Sequence, residues 1–303
     1  MRIVIALGGN ALLKRGERPD ASIQLAHLDS VAPAIARLAA DHDVIIVHGN
    51  GPQVGLLANE SAADPALRSP YPLADLVAET QGLIGSWIQR SLTHAGLTRD
   101  VIVLVSRTLV NHDDPAFHRP AKFIGPMLDA DQARRARAQG RTIAMDGESW
   151  RQVVPSPTPV RVLETARASQ LLDAGCTVVL AGGGGIPVDQ HGDAIDAVVD
   201  KDLTAARIAV DLEAELLVIL TDVDGVMRDF GTSGQTLIRA TTSKELSSQQ
   251  FADGSMGPKV RAVSQFTSAT GRRSAIGRLD ELTGIIVGTA GTQVHAEAVT
   301  AAT

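Results

Sequence analysis

Five short runs of almost purely apolar residues recur along the chain: IVIAL (3–7), VIIVH (44–48), VIVLVS (101–106), TVVLAG (177–182) and LLVILTD (216–222). A strand covered on both faces reads this way, because neither side alternates with polar residues. Amphipathic stretches at helical spacing lie between the runs. Ile23, Ala26, Val31, Ala34, Ile35 and Leu38 mark one over 22–40, and Leu73, Leu76, Val77, Leu83, Ile84, Trp87 and Ile88 mark a longer one. Strand and helix alternating in this order predict an α/β fold with a mostly parallel, doubly wound sheet and helices on both faces. Aromatic residues make up only 3% of the chain, so its core must rest on aliphatic side chains. A length of 303 residues allows one large domain or two smaller ones.

Charge is slightly acidic, 28 Lys and Arg against 34 Asp and Glu. That balance argues against a nucleic-acid backbone as the main partner, although it leaves room for a local basic site. Cys176 is the sole cysteine, so no intramolecular disulfide can form, which fits a reducing, cytoplasmic compartment. Its position just before an apolar run reads as packing; no partner base for a catalytic thiol is evident. No apolar run approaches the roughly 20 residues of a membrane helix, so no membrane partner is expected. The opening run is short, interrupted by glycine and followed at once by Lys14, Arg15, Glu17 and Arg18. It reads as mature structure rather than as a secretion signal.

One segment breaks the rhythm. Between about Arg107 and Pro159, prolines recur and regular helix is not expected. Asp146-Gly147, between TIAM and SWRQVV, reads as a hairpin turn. The segment is expected to form a small protruding subdomain or lid dividing two α/β halves. SRTLVNHDDP and VVPSPTP are its candidate hinges.

Three glycine clusters each follow an apolar run: Gly8-Gly9-Asn10, HGNGPQVG (48–55) and Gly182 to Gly185. Glycine permits sharp turns and close approach of backbone amides to a ligand, and a following helix favours anions. Each cluster alone could serve strand-to-helix geometry only. Three at the carboxyl ends of parallel strands point to the edge where open α/β sheets bind ligands. The spacing in HGNGPQVG misses the dinucleotide fingerprint by one residue, and no GK[ST] sequence occurs. The eight histidines include no H-x-x-x-H pair, and no G-x-S-x-G elbow is present, so neither a zinc site nor a serine hydrolase is indicated. His48 reads as a packed strand-end residue that could also touch a ligand.

Three lysines stand in suggestive contexts: Lys122 in RPAKFIGP, Lys201 in VVDKDLTAARIA and Lys259 in GSMGPKVRAV. A lone lysine is ordinarily a solvated charge. One at a glycine-rich helix entrance suits phosphate, and phosphoryl transfer needs fixed cations around the transferring group. In LTDVDGVM, Asp222-Val223-Asp224-Gly225 is either an ordinary turn or a nucleotide contact at a strand's carboxyl end.

Taken together, ALGGNALL, VHGNGPQVG, DPAFHRPAKFIGP, AGGGGIPV, VVDKDLTAARIA, LTDVDGV and GSMGPKV resemble the carbamate kinase branch of the amino-acid kinase family, in its order and over nearly the whole chain. The resemblance implies a three-layer αβα sandwich around a mainly parallel open sheet, with a small protruding lid, usually as a homodimer. It implies reversible transfer between ATP and carbamate, giving ADP and carbamoyl phosphate, with Mg2+ bridging nucleotide phosphates and held mostly by nucleotide and water. Residues 1–303 then form one domain. Residues 1–106 and 160–180 are its acceptor half, 107–159 the lid and 181–303 the nucleotide half. Gly8, Gly9, Asn10, Gly49, Asn50 and Gly51 are implied to line the acceptor and phosphoryl site. Lys122, Lys201 and Lys259 would supply positive charge, with Asp202 holding the lysines in position. Gly183, Gly184, Asp222, Val223, Asp224, Gly225, Met256 and Gly257 would contact nucleotide, and no residue is assigned to a metal. Asn10 stands where relatives carry lysine, which shifts that charge to Lys122. Phe123, Met127-Leu128 and Met227 also depart from the family's usual residues, in the lid and near the adenine. Two other readings fit the same motifs: a kinase of another small acid or phosphate, and a non-catalytic ATP-binding sensor.

Overall fold

The first apolar run is the middle of the molecule. A computed structural model describes residues 1–9, 12–14, 16–251 and 256–296. The chain opens with β1 (Arg2–Leu7), α1 (Ala21–Asp41), β2 (Asp43–His48), α2 (Gly51–Ala63), α3 (Leu73–His94) and β3 (Val101–Val103). A middle stretch follows, with β4 (Arg107–Val110), β5 (Lys122–Leu128), α4 (Ala130–Ala138), β6 (Ile143–Asp146), β7 (Ser149–Val154) and β8 (Pro159–Val162). Next come α5 (Thr165–Asp173), β9 (Thr177–Val179), β10 (Ile186–Val188), α6 (Lys201–Asp211), β11 (Leu216–Thr221), β12 (Met227–Arg228) and β13 (Thr236–Leu237). The last elements are β14 (Ala240–Thr242), α7 (Ser243–Ser247), α8 (Met256–Thr270), β15 (Ser274–Arg278), α9 (Leu282–Val287) and β16 (Thr292–His295).

Eight strands form the main sheet in the order β14-β16-β15-β11-β1-β2-β9-β3. Every pairing in it is parallel except β15 with β16. β1 lies between β2 and β11, and Ile3 to Leu7 are wholly inaccessible to solvent. Alternate residues of β1 enter opposite cores, because side chains along a strand point to alternate faces. Val4 and Ala6 join Leu172 of α5, Ile208 of α6 and Val263 and Phe266 of α8. Ile3, Ile5 and Leu7 join Ile35 of α1, Ile88 of α3 and Ile285 of α9. Burial of an aliphatic side chain stabilises by about 1.5–3 kcal/mol, so two continuous aliphatic layers hold this sheet without many aromatics.

From β1 the chain moves outward to β2, and from β11 it moves outward in the other direction to β15. The carboxyl ends of β1 and β11 therefore border the crevice where an open α/β sheet takes its ligand.

The middle stretch departs from expectation in one respect. Regular helix was not expected between residues 107 and 159, yet α4 forms there. Its prolines bracket the stretch 127–154, which contains none, and ADQARRARA is rich in strong helix formers. Asp129 caps α4, accepting from the amides of Asp131 and Gln132 at 2.9 and 2.7 Å, while Gln132 accepts from the Asp129 amide at 2.9 Å. The hairpin is present, with Asp146 opposite Ser149 and Gly147 at φ +64°. β5, β7 and β6 form a three-stranded sheet, and β10, β4 and β8 form another. The third apolar run is shorter in sheet than in sequence: only Val101–Val103 of VIVLVS pairs as strand.

Candidate active site

Helix α6 begins with the sequence Asp200-Lys201-Asp202, and its first turn organises the charges. Asp200 is the N-cap: one carboxylate oxygen accepts from the amides of Asp202 and Leu203 at 2.9 and 3.3 Å. Its other oxygen accepts from Lys122 Nζ, at the start of β5, at 2.5 Å. Asp202 then binds two lysines, Lys201 through one oxygen and Lys259 of α8 through the other at 2.9 Å. Asp200, Lys201 and Asp202 are 6, 9 and 2% exposed. Buried charges need such pairing, since an isolated one would neutralise instead. Burial alone would raise the pKa of Asp202, but Lys201 and Lys259 outweigh it and hold the carboxylate below its usual range. Asp200 is lowered too: Lys122 overcomes burial and the repulsion of Asp202. Burial presses Lys201 downward against the pull of Asp202. Lys259 is also desolvated, yet Asp202 leaves it raised. Three lysines and two aspartates leave this cluster net positive.

The glycine turns lie beside these charges. The Gly8 amide donates to the Leu220 carbonyl at 3.0 Å, and a β-carbon on Gly8 would lie 2.8 Å from that oxygen. Gly49 sits between Gly9 and Lys201, where a β-carbon would come within 3.2 Å of the Gly9 nitrogen and 3.4 Å of Lys201 Cδ. Gly9 and Gly51 face open space. Asn50 precedes α2 but does not cap it; its Nδ2 donates instead to Thr80 Oγ1 at 2.9 Å. The α2 amides that follow, next to the lysine cluster, make an anion-favouring helix terminus.

Gly182 to Gly185 are packed closely from behind by side chains and backbone of other segments. A β-carbon on Gly182 would lie 2.2 Å from His48 Nε2, and on Gly183 2.1 Å from Asn50 Nδ2. On Gly184 it would meet the Val199 carbonyl at 2.3 Å, and on Gly185 the Thr108 hydroxyl at 2.2 Å. The loop is a mould pressed against His48 and Asn50. Gly183 thus lies against Asn50, one of the residues read as acceptor-binding, and Gly184 against Val199; the sequence reading grouped both with the nucleotide contacts. His48 is fully buried; its Nδ1 pairs with the Gly49 carbonyl at 3.0 Å, and its Nε2 has no partner among the described residues. Burial, reinforced by Lys201 and opposed by the Gly49 bond, pushes its pKa down to about 4, so the ring is neutral near pH 7.

At the end of β11, Asp222 is exposed and accepts from Thr221 Oγ1 at 3.1 Å, and its charge reaches Lys259. Val223 is half-buried. Asp224 pairs with Arg278 of β15 at 3.6 Å, a partner that nothing in the sequence signalled. Gly225 is needed for packing, since a β-carbon would lie 2.6 Å from Thr292 Oγ1. Met256 and Gly257 open α8, half-buried and buried. Asn10 lies outside the described residues. The structure therefore joins Lys122, Lys201, Asp202 and Lys259 to Gly49 and Asn50, and it adds Asp200 and Thr80. Asp200 was legible as an acidic residue before a helix start; Thr80, inside a helix, carried no signal. Phe123, one of the departures from the family pattern, lies under Arg151, whose guanidinium is 6.0 Å from the ring centroid.

The profile of the amino acid kinase family matches residues 1–277. The carbamate kinase of Escherichia coli (strain K12) is 45% identical over 291 residues, covering 96% of this chain and 98% of that protein. The chain belongs to the carbamate kinase branch of the amino acid kinase family. A second relative in this branch, the carbamate kinase of Rhizobium meliloti (strain 1021), is 44% identical over 301 residues, covering 96% of this chain and 92% of its own length. The fold agrees. The carbamate kinase from Giardia lamblia bound to AMP-PNP superposes with a TM-score of 0.86 at 32% identity, over 97% of this chain and 98% of that one. In this chain the lysine–aspartate cluster stands at the carboxyl edge of the main sheet, with Lys201 beside Gly49 just after β2.

Proposed function

We propose that this protein is a carbamate kinase, transferring a phosphoryl group reversibly between ATP and carbamate to give ADP and carbamoyl phosphate. The observation that carries this reading is the Lys122–Asp200 and Lys201–Asp202–Lys259 network, built on two buried aspartates beside the uncapped start of α2. A carbamate oxygen attacks the γ-phosphorus while the bond from phosphorus to the ADP oxygen breaks. Carbamate already presents an anionic oxygen, so no side chain must remove a proton. Catalysis is then positioning plus charge: Lys201, Lys259 and Lys122 neutralise the equatorial oxygens, and Gly8, Gly9, Gly49 and the α2 amides face the transferring group. Gly49 and Asn50, moulded by the Gly182–Gly185 loop, would hold the acceptor. Asp222 and Asp224 border the nucleotide side.

Mg2+ would accompany the nucleotide. Among the described residues no group of three or more His, Cys, Asp or Glu is gathered, and Asp200 and Asp202 already bind lysines. The site therefore suits an ion held by phosphates and water, with charge neutralisation as its contribution. We read the assembly as a homodimer and the location as cytoplasmic; among the described residues no helix is long and apolar enough to cross a membrane.

The test is direct. ADP, magnesium and carbamoyl phosphate mixed with the protein should yield ATP, and Lys259→Ala should lower kcat roughly 100-fold, the scale of losing one donor to transition-state charge. ATP no higher than the spontaneous-decomposition background would refute the assignment.

A further inference from the structure

Helix α2 meets the unit formed by β5, α4, β6 and β7 main chain to main chain. A β-carbon on Gly55 would lie 1.9 Å from Gly125 Cα and 2.1 Å from Gly125 N. No side-chain rotation relieves such an overlap. The two backbones would have to separate by roughly 1.5 Å to restore an ordinary carbon contact. Glycine is otherwise a poor residue for a helix interior, so this close approach is the physical reason for one at 55.

The seam is also clamped from the other side. Gly125 has φ +71°, which disfavours any side chain, and stands where β5 loses register with β7 between Ile124 and Leu128. Its carbonyl accepts from Arg151 Nε at 2.8 Å. Ile124 and Val154 bury themselves with Val54, Leu76 and Val77 in a cluster of their own. Lys122 lies three residues before Gly125 on the same strand and reaches Asp200 at 2.5 Å.

We propose that Gly55 is a positioning residue: with no side chain there, β5 sits at the height over α2 that delivers Lys122 to the phosphoryl site beside Asp200. This rests on the reading of Lys122 as a phosphoryl-contacting residue. A β-carbon at 55 lifts β5, and the lift is passed through three residues of extended strand to the ammonium group. The nucleotide-side residues stand on other elements, α8 and the end of β11.

The experiment compares Gly55→Ala, Lys122→Ala and the double variant in ATP formation from ADP and carbamoyl phosphate, with ADP affinity by calorimetry and folding by circular dichroism. Gly55→Ala should lower kcat by roughly ten- to a hundredfold, as an ångström-scale misplacement does. ADP affinity should stay unchanged, and the substitution should add no loss in the Lys122→Ala background. Unchanged kcat for Gly55→Ala, or the same fold loss with and without Lys122, overturns the seat and leaves the role of Lys122 standing. A wild-type rate for Lys122→Ala alone overturns that role, and the seat with it. If Gly55→Ala does not fold, Arg151→Ala, which frees the Gly125 carbonyl, should show the same pattern at smaller amplitude; unchanged kcat there also overturns the seat.

Discussion

His48 illustrates how one residue can report on the state of the site. Its ring is buried between the Gly49 carbonyl and the Gly182 backbone, beside Lys201, and the imidazolium is disfavoured there. The folded pKa is about 4 against 6.5 for an ordinary histidine. Between those values the unfolded chain binds the proton and the native state does not, so stability rises with pH through that window. The contribution is complete above pH 6.5 and fades as pH falls toward 4, amounting to about 3 kcal/mol in all. Denaturant unfolding at pH 7 and pH 5 should show wild type losing part of this on acidification. His48→Gln should lose less over the same interval, and equal pH slopes for the two proteins would refute the assignment. The sequence made His48 visible only as a strand-end residue. Its titration depends on Gly182 and Lys201, 134 and 153 positions away, and distances of that kind are not written in a local pattern.

At the scale of elements, the Gly182–Gly185 loop holds no side chain because His48, Asn50, Val199 and Thr108 occupy that space. Asn50 is in turn tied to Thr80 of α3. Two separate elements thus converge on one carboxamide. Gly183→Ala combines a strained φ, +66° in the native loop, with a displaced Asn50. It should weaken carbamoyl phosphate binding roughly 10- to 100-fold, about 1.4–3 kcal/mol, while ADP affinity holds. Calorimetric titration with each ligand separates the two, and a loss confined to ADP would return the loop to the nucleotide side. Glycine clusters were legible as turns at strand ends, but their two uses were not. Gly9 and Gly51 face open space while Gly183 and Gly184 are filled from behind, and both look alike in sequence. The reverse error occurred in α4. Prolines at 126 and 155 suggested a segment without helix, although the residues between them are good helix formers and carry their own cap.

For the whole molecule, β3 ends the eight-stranded sheet, and among the described residues its outer edge has no partner strand in that sheet. Beside it Val105 and Leu83 are 54 and 41% exposed, and Trp87 of α3 is half-buried. An open edge with apolar neighbours is a surface that natural proteins cover. A homodimer through this face should show twice the mass of one chain in light scattering, and Leu83→Glu should shift it to the monomer. A monomeric wild type, or a dimer indifferent to that change, would move the interface elsewhere. The sequence by itself determined the class of fold, because short uninterrupted apolar runs between amphipathic helical stretches suit strands buried on both faces, and that alternation leaves few topologies. It also determined which lysines to suspect, since each follows or precedes an unusual local pattern. Tertiary structure alone decided how those charges divide, with Lys201 and Lys259 on Asp202 and Lys122 on Asp200. It alone decided that Gly55 and Gly125 touch. Pairing across 57 to 78 residues is set by sheet order and helix packing, which no short window of sequence contains.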